Sequence, residues 1–206
     1  MMVKSVAKTV SYLFHPLVMT TLGMLVLLNS GTSLSVLQPE VKRLSIIITA
    51  LFTFVFPASL IIILYITRVI HNIELNERRE RVLPMALTMI LYVFTFFVMR
   101  GIPQLTGGHI VFLFCPTAAL FFALVVNHFM KPSIHMVGIG VMVGTILVVV
   151  LIYGAALQYL FIATVLVGGL VGSARLRLGL HQPREIFAGF MIGFLATLGV
   201  MAVYIF

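Results

Sequence analysis

The chain has 206 residues, 62% of them apolar and only 9% charged, with a mean hydropathy of +1.22. So few polar side chains cannot cover a water-soluble globule, which places the protein in a bilayer. The net charge of +8 would point to nucleic acid in a soluble protein, but here it sits in short connectors between apolar runs, so anionic lipids are the expected partners and nucleic acid is not.

A helix needs about 20 apolar residues to cross a hydrocarbon core of about 30 Å. Seven apolar stretches can be read as candidate spans, at residues 9–28, 44–70, 83–99, 109–130, 133–153, 157–172 and 186–206. The fold class is therefore all-α, a single-domain polytopic transmembrane helix bundle. The third stretch is short before Arg100 and the sixth is rich in glycine, so six spans compete with seven. Lys4 and Lys8 ahead of the first stretch resemble a signal peptide, but no small-residue cleavage site follows and the stretch reads as a retained helix. The lone Cys115 offers neither a disulfide within the chain nor a cysteine metal site. Pro16, Pro57 and Pro116 fall within spans and are expected to kink them. Glycines four apart, Gly140 with Gly144, Gly168 with Gly172 and Gly189 with Gly193, put two small residues on one helix face, the pattern of close helix packing.

The connectors at residues 78–84, 131–135 and 173–185 each follow an even number of crossings and so emerge on one side of the membrane. Together they carry Arg78, Arg79, Arg81, Lys131, Ser133, His135, Ser173, Arg175, Arg177, His181, Arg184 and Glu185. Beyond Glu80 the only carboxylate side chain is Glu185, four residues after His181. With Pro183 suited to a first helical position, this spacing brings the carboxylate within reach of the ring. A carboxylate that holds one imidazole nitrogen as N–H leaves the other free to attack, and a helix N-terminus favours a bound phosphate. In the second connector Lys131 supplies a cation, Ser133 a hydroxyl donor and His135 an imidazole fit for general-acid work. His15, His71, His109 and His128 have no neighbouring acid in sequence and read as interfacial or packing residues.

These residues resemble the type-2 phosphatidic acid phosphatase superfamily of membrane lipid phosphatases, over motifs within residues 78–189. The third family motif, Ser-Arg, five residues, His, three residues, Asp, is matched by Arg175, His181 and Glu185, with Ala174 separating Ser173 from the Arg and Glu in place of Asp. The second motif, Pro-Ser-Gly-His, is matched by Pro132, Ser133, Ile134 and His135, with Ile in place of Gly. The first, Lys, six residues, Arg-Pro, is met only loosely by residues 78–84. The resemblance implies His181 as nucleophile, Glu185 as its orienter and His135 as general acid. It implies phosphate binding by Arg79, Arg81, Lys131, Ser133 and Arg175, with no metal and no cofactor. The implied activity is hydrolysis of a lipid or polyprenyl phosphate or diphosphate through a phosphohistidine, at one face of a membrane, as in the bacterial cytoplasmic membrane where many relatives work.

Two other readings share these residues. A non-catalytic lipid-phosphate binder or transporter would keep the same cationic pocket, and His135, His181 and Glu185 are also a possible metal set, which the surrounding basic residues oppose. Without the motif cations, Lys4 and Lys8 balance Lys42 and Arg43, so charge favours neither orientation.

Overall fold

The computed structural model describes residues 2–75, 77–105 and 107–205, with side chains from residue 4. Those residues form an all-helical bundle: α1 (Met2–Leu13), α2 (Pro16–Leu28), α3 (Pro39–Ile66), α4 (Arg78–Arg100), α5 (Gly107–Asn127), α6 (Ile134–Tyr153), α7 (Gln158–Arg177) and α8 (Pro183–Ile205). The six helices from α3 to α8 are each long and apolar enough to span a membrane, and the bent α1–α2 pair makes a seventh crossing if taken as one broken span. The protein is an integral membrane protein. Phe97, Leu166 and Val203, among many large apolar side chains, lie exposed on the outside of the bundle where lipid is their solvent.

The expected first span is not one helix. Pro16 restricts the residue before it to an extended conformation, and His15 adopts φ −64°, ψ 136°. The chain turns 50° there, and α2 begins with Pro16 at its first position. The third and sixth stretches, where sequence left the span count open, are instead complete helices of 23 and 20 residues. They extend past their apolar cores: α4 takes in Arg78, Arg79 and Arg81, and α7 takes in Ser173, Arg175 and Arg177, residues that sequence assigned to connectors.

Pro57 has no N–H to give to the carbonyl four residues earlier. The helix accommodates this with a π turn at Leu51–Val55, and the Tyr92 hydroxyl donates to the Thr53 carbonyl at 3.3 Å. The kink expected at Pro57 is thus tied across to α4.

α6 sits at the centre, with α8, α2, α7 and α5 packed on it. Its buried run is almost wholly apolar, and buried Thr145 returns its hydroxyl to the Val141 carbonyl at 2.8 Å. The tightest contact is with α8. A Cβ on Gly140 would collide with the Phe190 carbonyl, and one on Gly193 with the Val137 carbonyl. Backbones that close need glycine on both helices, and the third pair also packs within this chain, Gly168 against Ile139 and Gly172 against Ile186. Higher up, Gly189 lies against the Ser133 backbone, which draws the start of α8 onto the start of α6.

Candidate active site

The three polar connectors converge, and basic side chains stitch them together. Arg81, buried at the start of α4, donates from Nε to the Leu75 carbonyl at 2.7 Å and from Nη1 to the Pro132 carbonyl at 3.0 Å. Lys131 donates from Nζ to the Leu180 carbonyl at 3.1 Å, and the Ser133 N–H donates to the Glu185 carbonyl at 3.0 Å. Outside them Arg78 reaches the Phe129 carbonyl at 2.7 Å. A guanidinium that is hard to bury alone is tolerable where carbonyls take its protons.

At the turn between α7 and α8, Gly179 adopts φ +69°, which glycine allows without strain, and the chain reverses into Pro183. Glu185 falls in the first turn of α8 and folds back. Its Oε2 accepts from the Gln182 N–H at 3.0 Å and lies 3.0 Å from His181 Nδ1. A carboxylate oxygen at that position selects the tautomer with the proton on Nδ1. His181 Nε2 is then the basic atom, and it is buried with no hydrogen-bond partner. The His181 side chain is only 1% exposed.

Burial, and after it the Arg81 charge, hold the His181 imidazole down to a pKa of about 4, against the opposing hydrogen bond from Glu185, with Arg175 and Lys131 adding to the depression. The ring is therefore neutral at physiological pH, the form in which a nitrogen lone pair can attack. Burial and then Arg81 likewise lower the Lys131 ammonium from its ordinary value, with Glu185 opposing.

His181 lines a cavity of about 310 Å³ together with Arg81, Arg175 and His135. Arg175 is 7% exposed and its Nε has no partner. The apolar wall includes Leu17, Met85 and Leu120, and the rim carries the exposed residues Tyr12 and Ile73. A polar, cationic end joined to an apolar wall suits a phosphate attached to a hydrocarbon tail.

The other residues expected at this site are placed as follows. Ser133 is fully buried at the start of α6 with its hydroxyl unpartnered, close to the site but outside the cavity wall. Lys131 holds the α7–α8 turn and does not line the cavity. Arg79 is exposed and lies off the cavity, because the helical rotation that turns Arg81 inward carries a residue two positions earlier to the far face. His135 is in the wall, its Nε2 3.1 Å from the Ser11 carbonyl.

Several cavity residues escaped the sequence reading. Lys8, Ser11 and Tyr12 come from α1, His15 from the α1–α2 break, and Glu74 from the loop before α4. His15 is the one with a readable signal, since an imidazole immediately before a proline inside an apolar stretch marks a helix start, and its Nδ1 accepts the Leu17 N–H at 3.4 Å. His71, which has no acid near it in sequence, meets Glu80 across the loop at 2.7 Å, and buried His109 contacts the Leu34 carbonyl at 2.6 Å near the opposite end of the bundle. Among the described residues no group of three or more His, Cys, Asp and Glu side chains comes together as a metal site.

In comparison with known proteins, no family model, curated protein or solved structure matches the chain. The resemblance to the lipid phosphatases therefore rests on the sequence motifs alone.

Proposed function

We propose that the protein is a membrane phosphatase that hydrolyses a lipid or polyprenyl phosphate or diphosphate through a phosphohistidine at His181, in the manner of the type-2 phosphatidic acid phosphatases. One observation carries the reading: a buried imidazole with Nδ1 held by Glu185 and Nε2 unpartnered, in a cavity it shares with Arg81 and Arg175.

In the first step His181 Nε2 attacks phosphorus and the bond from phosphorus to the leaving oxygen breaks. Glu185 steadies the positive charge that develops on the ring, and Arg175 Nε donates to the phosphoryl oxygens. Arg81 adds its charge from beside the site, although two of its N–H groups are already committed to carbonyls. His135 supplies the leaving oxygen with a proton. In the second step His135 takes a proton from the water that attacks the phosphohistidine, the P–N bond breaks with its electron pair returning to His181 Nε2, and phosphate departs. Tail entry from the bilayer past Tyr12 and Ile73 needs no aqueous path.

The competing reading is a non-catalytic lipid-phosphate binder, and the position of Arg79 off the cavity favours it by thinning the phosphate clamp. A phosphate-release screen of the purified protein decides between them, with phosphatidic acid, phosphatidylglycerol phosphate, sphingoid phosphates and undecaprenyl diphosphate as substrates. Hydrolysis of at least one, with an acid-labile phosphoenzyme that disappears in His181→Asn, is the expected result. Saturable binding of these lipids by folded protein with no phosphate released would establish the binder instead.

A further inference from the structure

α1 belongs to none of the motifs read from the sequence, yet it forms one wall of the cavity. Lys8, Ser11 and Tyr12 share a face of α1 at three- and four-residue spacing, His15 follows just past its end, and all four line the space that holds His181 and Arg175. Ser11 is the informative member. A hydroxyl in a helix commonly returns to the carbonyl four residues earlier, as Thr49, Thr53, Thr145 and Thr197 do here at 2.7–2.9 Å. Ser11 is only 5% exposed and its Oγ has no partner. The Ser45 hydroxyl is also buried and unpartnered, but it lies outside this cavity. Burying a hydroxyl costs stability unless it is hydrogen-bonded, so an unpartnered one on a cavity wall fits a ligand.

Every member of this wall has a hydrogen to give. Lys8 brings an ammonium, and Ser11 and Tyr12 bring hydroxyls. His15 Nδ1 accepts the Leu17 N–H at 3.4 Å, so its neutral ring carries hydrogen on Nε2 and offers an N–H. The Ser11 carbonyl lies 3.1 Å from His135 Nε2, which sets the wall beside the group assigned to the leaving oxygen. What the substrate carries next to that oxygen therefore meets donors. Lys8, Arg81 and Arg175 outnumber the one carboxylate in the wall, the exposed Glu74, so the ligand these donors suit is an anion. We propose that the α1 wall holds the second phosphate of a lipid diphosphate, with Ser11 Oγ and Lys8 as its principal donors, while the terminal phosphate lies at His181. The assignment rests on the phosphatase reading above and narrows its preferred substrates to diphosphates.

On a diphosphate, His181 Nε2 bonds to the terminal phosphorus as the bond from that phosphorus to the bridging oxygen breaks. The electron pair stays on the bridging oxygen, and the leaving group is a lipid monophosphate. Ser11, Lys8 and the His15 N–H meet its added charge as it forms. Such a group departs as an anion and needs less proton assistance than an alkoxide. Water then cleaves the phosphohistidine as described above and orthophosphate departs, so no other reactant is needed.

Two ligands with one octyl chain measure the site by calorimetric titration of the purified protein: octylphosphonate, and octyl methylenebisphosphonate, whose P–C–P bridge resists cleavage. The parent should bind the bisphosphonate at least about tenfold more tightly, as charge-assisted hydrogen bonds to a second phosphate require. Ser11→Ala should weaken bisphosphonate binding about tenfold and Lys8→Gln at least about threefold, with octylphosphonate changed no more than about twofold in either. Unliganded Ser11→Ala should melt no lower than the parent, since its hydroxyl holds nothing in the protein. A lower Tm would give that hydroxyl a structural partner and overturn the argument from its freedom. Equal affinity of the parent for the two ligands overturns the second-phosphate site. A preference that persists in both variants, or equal losses on both ligands, removes it from α1. The phosphatase reading fails separately: a Ser11-dependent preference with no phosphate released from any lipid leaves the site standing as a diphosphate binder. Phosphate release from lipid monophosphates with no preference for the bisphosphonate leaves the enzyme and overturns the site.

Discussion

His181–Glu185 and His71–Glu80 are the same chemical pair in two settings. Both join imidazole Nδ1 to a glutamate oxygen, at 3.0 Å and 2.7 Å, and in both the same carboxylate oxygen also accepts a backbone N–H, from Gln182 in one and His71 in the other. Yet the His181 side chain is 1% exposed and that of His71 is 82% exposed. Around His181 stand Arg81, Arg175 and Lys131, which depress its basicity, whereas the His71 ring lies in an exposed loop outside the cavity. Contact geometry alone does not make a nucleophile. On the phosphatase reading proposed above, burial and cationic neighbours disfavour protonation of the His181 ring and supply the charge that a phosphoryl group requires.

The largest effects expected of this difference fall on turnover. His181→Asn should lower phosphate release by at least about a thousandfold and leave no phosphoenzyme, while His71→Asn should leave both near the parent level. Phosphate release and acid-labile labelling measured side by side check the contrast, and comparable losses from both would erase it. Glu185→Gln should lower kcat by about a hundredfold or more with little change in KM, since the tautomer and the developing charge lose their support. Glu185→Asp should retain substantial activity, as Asp occupies this position in the family pattern. A Glu185→Gln protein that is folded and within about threefold of the parent would make this pair no more than the exposed one.

The two pairs also differ in how much of them the sequence discloses. His181 and Glu185 are four apart at a helix start marked by Pro183, so one turn of helix brings them together, and that much is local geometry. The span pattern is legible for the same kind of reason, because apolar length is a property of a single segment. His71 and Glu80 are nine apart on either side of a loop in which Arg68 and Leu75 both take positive φ, at 60° and 51°. No periodicity predicts such a path. His15 reaches His135 only because the chain bends 50° at Pro16; the proline announces the bend, but no local pattern says that it sets these two rings against each other. Arg79 and Arg81 cannot be told apart while residues 78–84 are taken as a connector. Once they are helical, two positions separate an inward from an outward side chain.

A smaller effect concerns stability against pH. The His181 pKa falls from its ordinary 6.5 to about 4 on folding, so between those values the unfolded chain binds a proton that the folded protein refuses. The contribution of this group is fully present above about pH 6.5 and is lost progressively as pH falls toward 4. Thermal unfolding in detergent should therefore show Tm declining over that window, with a shallower decline in His181→Asn. An identical slope in parent and His181→Asn would mean that burial does not set the protonation of His181.

The smallest effect expected is that of cutting the exposed pair. Glu80 receives the His71 N–H as well as its ring nitrogen, and it sits one residue before Arg81, whose Nε holds the Leu75 carbonyl of the same loop. The loop is thus fastened to α4 at two points, an exposed one through Glu80 and a buried one through Arg81. An exposed ion pair in water is worth little, and salt screens what there is. Arg81 alone should therefore keep Leu75 and Glu74 over the cavity, and Glu80→Gln should change kcat by no more than about twofold, with any effect on KM vanishing at high salt. Arg81→Gln should instead weaken both substrate binding and the join between connectors, raising KM at every ionic strength. Steady-state kinetics of the two variants at low and high salt separate the fastenings. A loss in Glu80→Gln that approaches the loss in Glu185→Gln would show that the exposed pair, through the loop it anchors, governs the site as closely as the buried one does.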